Sequence, residues 1–172
     1  MTAAAIFALV FVPMVIEAAI SARNETRLRA LGASEPPGDV FRAMQFGYPA
    51  AFLVIVAEAW WRQPPFDRVF DVGLALFIAS KILKYWAITT LGSRWSFRVL
   101  VPPDSTRVVA GPYRYSRHPN YVAVTGELVG AALMAHAMIG GPVVTVGFIL
   151  LMRRRIAIEE AALGLTGIES RR

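Results

Sequence analysis

Long apolar stretches separated by polar connections divide the chain from end to end. Each stretch is close to the roughly 17 to 25 residues that a membrane-spanning α-helix requires. Five such stretches are present, at residues 3–20, 46–61, 70–91, 121–138 and 142–158. The pattern therefore predicts an all-α integral membrane protein with about five transmembrane helices.

The composition agrees with a membrane location and excludes other classes of protein. Of the 172 residues, 56% are hydrophobic and 17% are charged, whereas a soluble domain carries about 25% charged residues. This hydrophobicity excludes intrinsic disorder. The absence of cysteine excludes a disulfide scaffold, a thiolate metal site and a cysteine nucleophile. We expect one domain and no metal centre.

The arginines are distributed as a topology signal. Fourteen of the 16 lie between residues 23 and 42, between 94 and 117, or after residue 152. These are alternate connections, whereas the opposite side carries only Arg62 and Arg68. The positive-inside rule therefore places the N-terminus outside and the third connection and C-terminus in the cytoplasm. Because topology explains the net charge of +6, we expect no nucleic-acid partner.

A single membrane domain over residues 1–172 follows from this division. Three transmembrane helices are predicted within residues 1–91 and a cytoplasmic connection over 92–120. Residues 121–158 are predicted to form a helical hairpin around a Gly-Gly-Pro turn, and residues 159–172 a cytoplasmic tail. The pattern leaves open whether the fifth helix crosses fully or returns partway.

Several ionisable residues lie within the apolar stretches, where a charge is costly. Asp71, Lys81 and Lys84 are close enough to predicted helix ends to extend to the membrane interface. Glu127 lies about two turns into the fourth helix, and we expect it to face a polar cavity at the cytoplasmic end. His136, near the outer end of that helix, is expected to be interfacial or packed.

The third connection reads as a small folded, cofactor-binding insert. Residues 97–101 and 107–110 are β-prone and flank a Pro-Pro-Asp-Ser turn, which predicts a short hairpin over the cytoplasmic mouth. Pro119 suits the first turn of the fourth helix. The N-terminus of that helix, beside Arg114 and Arg117, could hold a carboxylate or phosphate. The alternative is a capped helix whose arginines only set topology.

A second polar cluster follows the fifth apolar stretch. Arg155 and Glu159 are i and i+4 neighbours on one helical face, which by itself is also compatible with a surface ion pair. The topology returns this segment and the Arg117-His118 segment to the same membrane face. Such a pocket suits a reaction between a water-soluble cofactor and a lipophilic substrate.

The sequence GPYRYSRHPNY at residues 111–121, followed by RIAIEE at 155–160, resembles the isoprenylcysteine carboxyl methyltransferase family. More faintly, residues 17–33 resemble a bacterial subgroup of short members associated with methylating long-chain alkylpyrones. The resemblance implies a helical membrane core, S-adenosyl-L-methionine as cofactor, and a lipophilic substrate that enters laterally from the bilayer lipids. With the richness in arginine, it also suggests a bacterial inner (plasma) membrane protein whose cofactor site faces the cytoplasm.

The resemblance also implies roles for individual residues. It places Arg155 and Glu159 beside the reacting group as catalytic residues. It assigns six residues to the cofactor pocket: Tyr113, Arg117, His118, Pro119, Tyr121 and Glu160.

The expected activity is O-methylation of a carboxylate or acidic hydroxyl, of isoprenylcysteine type or on a long-chain alkylpyrone or alkylphenol. Arg155 would grip the carboxylate while Glu159 holds the guanidinium in place. A phenol or amine would need Glu159 or His118 as base. The alternatives are phospholipid N-methylation, another related membrane enzyme, or a non-catalytic membrane assembly factor.

Overall fold

The computed structural model describes residues 2–103 and 108–162. Arg107, the neighbouring turn residues 104–106 and the tail residues 163–172 lie outside the described residues. The connection between α3 and α4 contains two short 3-10 turns, at Gly92–Arg94 and Gly111–Arg114. The described residues contain five α-helices, which confirms the predicted helical class: α1 (Thr2–Ala30), α2 (Phe41–Arg62), α3 (Arg68–Leu91), α4 (Pro119–Met134) and α5 (Gly140–Ala162).

Within the described part of the chain, three helices are long and apolar enough to cross a membrane: α1, α2, and α3 extended by its 3-10 turn to Arg94. Large apolar side chains cover their outward faces, including Val15 at 69% exposure and Ile82 at 65%, and a bilayer would cover such a surface. Helix α4 has 16 residues and a length of about 24 Å, less than the hydrocarbon core of about 30 Å. These are the features of a helical membrane protein.

Successive helices run in opposite directions, so their starts and ends alternate between the two ends of the bundle. The connection end carries the ends of α1, α3 and α5, the starts of α2 and α4, and residues 92–118. At the opposite end, the Thr2 hydroxyl donates to the Pro64 carbonyl (3.1 Å). There Glu58 accepts hydrogen bonds from the backbone N–H groups of Ile139 and Gly140 and so caps the start of α5.

Small residues let α3 and α4 approach closely. A Cβ atom added to Gly130 would lie 2.8 Å from both the Gly73 carbonyl oxygen and the Phe77 nitrogen. One turn earlier, a Cβ atom added to Gly126 would collide with the side chain of Ser80. Gly126 and Gly130 form a G-x-x-x-G pair, the spacing that lets membrane helices pack backbone to backbone. This contact fixes the position of the polar residues that the two helices carry.

A predicted helix end and a predicted hairpin differ from the structure. Helix α4 ends at Met134 rather than at residue 138, and residues 135–139 form the turn into α5. The predicted β-hairpin is wrong for the described residues 97–103 and 108–110, which form no strand. Instead Val101 and Ser34 exchange backbone hydrogen bonds of 3.1 and 3.2 Å. The loop between α1 and α2 therefore pairs with the backbone of Val101, which the hairpin would have paired within the connection.

Four helices contribute to a buried group that we call the charge cluster. It consists of Glu17 (α1), Tyr48 (α2), Lys81 and Lys84 (α3), and Glu127 (α4). The two carboxylates have no exposed surface, and the Lys84 side chain is 2% exposed. Lys84 and Lys81 do not extend to the membrane interface as predicted, because acids on α1 and α4 lie beside them.

Every charge in the charge cluster has an opposite charge as neighbour. Lys84 Nζ lies 2.7 Å from Glu17 Oε2 and 3.3 Å from Glu127 Oε2. Lys81 Nζ lies 2.8 Å from Glu17 Oε1 and 3.3 Å from Glu127 Oε1. The Tyr48 hydroxyl donates to Glu127 and accepts from Lys84 at 3.2 Å. Buried charges persist in an apolar surrounding only when they are paired in this way.

His136 is packed at the opposite end, as expected. Its Nε2 atom lies 3.2 Å from Asp67 Oδ1, and Asp67 caps α3 by accepting from the N–H groups of Val69 and Phe70. The Phe70 N–H, together with His136, lowers the pKa of Asp67 below its usual value. These contacts tie the loops of the opposite end together.

Candidate active site

A cavity of about 410 Å³ lies at the connection end. All five helices and the connection contribute to its wall, which is mostly apolar. Among the lining residues are six of the eight predicted site residues: Tyr113, Arg117, His118, Tyr121, Arg155 and Glu159. Pro119 begins α4 as predicted, with His118 as the residue before the helix. Glu160 does not line the cavity but contacts His118.

Arg155 is the most firmly held of these residues. It is 5% exposed, and its guanidinium has three partners. Nε donates to the Tyr121 hydroxyl (3.1 Å), NH1 donates to Asp39 Oδ1 (3.2 Å), and NH2 donates to the Phe97 carbonyl. Three of its five donors therefore have partners among the described residues, and the guanidinium is fixed in one plane.

The expected chemistry had Glu159 hold the guanidinium of Arg155, but the structure gives Glu159 a different partner. The carboxylate that pairs with Arg155 belongs to Asp39. Glu159 Oε2 accepts instead from the Tyr121 hydroxyl at 2.9 Å, so that Tyr121 links the two predicted catalytic residues. The helical spacing of Arg155 and Glu159 was correct, but the direct ion pair was wrong because a loop carboxylate and the Tyr121 hydroxyl surround the guanidinium.

His118 stands where α4 begins, between the two acids at the end of α5. Its Nε2 atom lies 3.1 Å from Glu160 Oε1 and its Nδ1 atom 3.9 Å from Glu159 Oε2. Arg117 NH1 is 3.8 Å from the same Glu160 oxygen. The ring centroids of His118 and Tyr121 are 5.5 Å apart. The two sequence motifs thus meet in space, with the RHPNY segment on one side and the double glutamate on the other.

Tyr113 completes this side of the cavity. It follows the break at Gly111, whose φ of +55° favours glycine, and where a Cβ would collide with Thr90. Burial and the negative charge of Glu159 raise the pKa of Tyr113 well above its usual value. The phenol therefore remains protonated and can donate a hydrogen bond to a ligand at any ordinary pH.

Polar contacts from α1 hold the first half of the connection over the cavity. Asn24 Nδ2 donates to the carbonyls of Gly92 (3.2 Å) and Trp95 (2.8 Å). The Ser21 hydroxyl accepts from the Phe97 N–H at 2.8 Å. These bonds keep the Phe97 carbonyl in place, where it accepts from Arg155.

Arg98 fastens the connection to the loop between α1 and α2. Its guanidinium lies 3.9 Å from the ring centre of Phe41, 3.3 Å from Glu25 and 2.8 Å from Glu35. Burial raises the pKa of Glu35, but the hydrogen bonds and charges of Arg98 and Arg29 outweigh it, so that the pKa falls below its usual value. Glu35 is therefore ionised and bound to Arg98 at neutral pH.

One buried polar atom that belongs to a cavity-lining residue lacks a partner. The side-chain oxygen of Asn120 is buried, and none of the described residues donates to it. Buried acceptors in folded proteins are nearly always satisfied. The unpaired oxygen therefore points to a ligand with a hydrogen-bond donor at this place.

Sequence reasoning missed the residues that come from outside the two motifs. Asp39 follows a Pro-Pro-Gly run in a loop, and the Phe97 contact is made by a backbone carbonyl, so neither carries a sequence signal. Tyr48 and Lys84 line the deep part of the cavity. The sequence singled out Lys84 as an ionisable residue in an apolar stretch but predicted that it extends to the membrane interface, and Tyr48 carries no comparable signal.

Comparison with known proteins bears on the same residues. The model of the isoprenylcysteine carboxyl methyltransferase (ICMT) family matches residues 73–164, more than half of the chain and all eight predicted site residues. The uncharacterized protein YpbQ of Bacillus subtilis is 28% identical over 168 residues, which cover 92% of this chain and 94% of that protein. An uncharacterized protein of Haemophilus influenzae is 26% identical over 149 residues, 84% of each chain.

A named enzyme matches over a shorter region. The protein-S-isoprenylcysteine O-methyltransferase of Tribolium castaneum is 30% identical over 95 residues, 54% of this chain and 34% of that enzyme. No solved structure matches the chain. These matches are similarities of sequence alone. The arrangement of the site residues is that of the structure described above.

Proposed function

This chain belongs to the isoprenylcysteine carboxyl methyltransferase family, and we propose that it is an integral membrane O-methyltransferase that uses S-adenosyl-L-methionine. Its acceptor is a carboxylate or an acidic hydroxyl on a lipophilic molecule, of isoprenylcysteine type or a long-chain alkylpyrone or alkylphenol. The observation that carries the proposal is the cavity at the connection end, which gathers six predicted site residues from two separate motifs.

The donors and acceptors of the cavity fit the cofactor. S-adenosylmethionine offers amino groups, a carboxylate and an aromatic base. The buried oxygen of Asn120 needs a donor such as an amino group. Arg117 and His118 supply donors for a carboxylate, and Tyr113 and Tyr121 present aromatic faces at the same wall.

The chemistry requires alignment more than acid or base strength. When bound, S-adenosylmethionine supplies a methyl group on a sulfonium, and such a transfer is an in-line displacement favoured by proximity and exclusion of water. Arg155, fixed by three partners, has two donors without a partner among residues 2–103 and 108–162, and these can orient an acceptor oxygen. Glu159 stands beside Tyr121 as the base for a hydroxyl acceptor.

The apolar part of the cavity suits a lipophilic acceptor. Met14, Met44, Pro49, Val124 and Phe148 line it. Gln45 on α2 also lines the cavity and is exposed on the outer face of that helix. This favours lateral entry from the bilayer beside α2. With the arginine distribution, it supports a site at the cytoplasmic face of a bacterial inner membrane.

The test is calorimetric binding of S-adenosylhomocysteine to detergent-purified protein. Wild type is expected to bind, and His118→Ala and Glu160→Ala are each expected to lose binding, because these side chains meet at the cofactor wall. His136→Ala, which removes the only other histidine and lies at the opposite end of the bundle, is the matched control and should bind normally.

Two results would count against the proposal. Absence of binding by folded wild type would favour a non-catalytic membrane protein. Equal loss of binding in His136→Ala would show that the effect of the other variants is on folding. Binding with the expected pattern leads directly to a labelled-methyl screen of lipophilic acids, alkylpyrones and alkylphenols.

A further inference from the structure

The counter-ion of Arg155 is an aspartate from a distant part of the chain. The side chains of Arg155 and Asp39 are 6% and 4% exposed, and NH1 lies 3.2 Å from Oδ1. The other oxygen of Asp39 lies 3.5 Å from the Val99 nitrogen, at the edge of the connection. Both members of the ion pair are therefore buried and held from two sides.

Asp39 acts on the cavity through residues that line it, chiefly Arg155. It is not among the residues that line the cavity, whereas Arg155, Phe97 and Val99 are. It also lies outside residues 73–164, the region that the family model matches. Arg155 therefore belongs to the part of the chain shared with the family, while its counter-ion comes from the loop between α1 and α2.

The pairing changes what Arg155 offers to an acceptor. A free buried guanidinium would attract a carboxylate strongly, but a guanidinium neutralised at 3.2 Å attracts it far less. The remaining nearby acid of the reacting end, Glu159, is itself negative when ionised and is bound to the Tyr121 hydroxyl. At the reacting end, an anionic acceptor would therefore lie beside two carboxylates and the cation of Arg155. Three other cations that line the cavity, Lys84, Arg98 and Arg117, each have an acid of their own nearby.

We infer that Asp39 is a positioning residue that neutralises Arg155 and directs the site toward acceptors that bind with a proton on the reacting oxygen. A phenol-type hydroxyl on a lipophilic molecule is such an acceptor, and a carboxylate is not. This inference rests on the proposed methyl transfer.

The step balances with the groups that are present. The acceptor O–H bond breaks and its proton passes to a Glu159 oxygen. The acceptor oxygen forms a bond to the methyl carbon, and the carbon–sulfur bond of the cofactor breaks with its electron pair going to sulfur. The products are a methyl ether and S-adenosylhomocysteine, and the proton leaves Glu159 to solvent through its partly exposed side chain.

The experiment compares two acceptor probes with labelled S-adenosylmethionine. The probes are 5-pentadecylresorcinol, a phenol, and N-acetyl-S-farnesylcysteine, a carboxylate. Wild type is expected to prefer the phenol, and Asp39→Asn is expected to shift the ratio of the two kcat/KM values at least tenfold toward the carboxylate. Because a ratio cancels the fraction of folded enzyme, a loss of folded protein alone would not move it.

Two variants control the comparison. Asp39→Glu keeps the charge and is expected to restore the wild-type preference. Glu35→Gln removes the other acid of the same loop, which pairs with Arg98 rather than with Arg155, and should leave the ratio unchanged. A similar shift in Glu35→Gln would overturn the inference, because the loop and not the charge on Arg155 would then be responsible.

A binding measurement does not depend on turnover. With S-adenosylhomocysteine bound, wild type should bind 4-decylphenol more tightly than decanoate, and Asp39→Asn should bind decanoate at least tenfold more tightly than wild type does. Preference of wild type for decanoate, or for the farnesylcysteine acid, would overturn the inference while leaving the proposed function intact. Failure of wild type to bind S-adenosylhomocysteine would instead overturn the proposed function.

Discussion

The charge cluster and the candidate active site use the same residue types in opposite ways. In the charge cluster, two acids and two lysines are each within 3.3 Å of opposite charges, and Tyr48 bridges two of them. In the active site, two N–H donors of Arg155 and the Asn120 oxygen have no partner among the described residues. A buried group whose charge is balanced by close opposite charges stabilises a fold, whereas one without any close partner is available to a ligand.

The difference follows from which elements supply the partners. Lys84 and Tyr48 are each seven residues from the connection end of their helices, about 10 Å into the bundle, and their partners are side chains of other helices. Arg155 is also seven residues from the described end of α5, but Asp39 and the Phe97 carbonyl, which come from loops, are among its partners. Pairing between helices closes the charge cluster, whereas partners from loops leave Arg155 at a wall that a ligand can reach.

The largest expected effect comes from breaking the pairing of the charge cluster. Glu127→Leu should lower the free energy of unfolding by about 3–5 kcal/mol, because it leaves the two lysines with one buried acid between them. Glu127→Leu combined with Lys84→Met should cost clearly less than the sum of the two single variants. The measurement is a double-mutant cycle of unfolding in mixed micelles. Simple additivity would show that the charges do not stabilise one another.

Next comes a change that keeps the charge of Arg155 but not its shape. Arg155→Lys should lower methyl transfer at least 100-fold, about 2.7 kcal/mol of transition-state stabilisation. A lysine has no planar fork to hold Tyr121, Asp39 and the Phe97 carbonyl together. Binding of S-adenosylhomocysteine, followed by calorimetry, should change less than about threefold, since these contacts lie at the acceptor.

The exposed neighbour Arg154 is the matched control for that comparison. Arg154→Lys should retain full activity. If Arg155→Lys loses cofactor binding as severely as activity, Arg155 belongs to the cofactor wall and its assignment to the reacting end is wrong.

The smallest expected effect tests the helix contact on which both regions depend. Gly130→Ala should destabilise the protein by about 1–3 kcal/mol, because the added methyl group meets the backbone of Gly73 and Phe77. Gly147→Ala places the same group where no atom lies within 4 Å and should be neutral or slightly stabilising. Thermal unfolding in detergent measures both, and equal stability of the two variants would rule out the close approach of α3 and α4.

The helices were largely predictable because apolar length and proline or glycine breaks are local signals. The start of α4 at Pro119 was placed correctly, whereas its end was placed four residues late, since residues 135–138 are as apolar as the helix before them. The hairpin over the mouth was wrong because β propensity does not say which backbone a segment pairs with, and Val101 pairs with Ser34.

Most of the candidate site was also predictable, because its residues lie in two compact motifs. The resemblance identified Tyr113, His118 and Glu159, and the structure brings all three to one cavity. Lys84 was wrongly predicted to extend to the membrane interface because it lies close to a helix end. Nothing in the sequence of α3 shows that Glu17 and Glu127 lie opposite it.

By itself, the sequence determined the helical class, the approximate helix bounds and the two motifs, since each depends on neighbouring residues along the chain. Only the tertiary structure decided which charges meet: Lys84 with two acids from other helices, and Arg155 with Asp39 rather than Glu159. An ion pair depends on distance in space, and residues 116 positions apart can be brought to 3.2 Å only by the packing of the whole bundle.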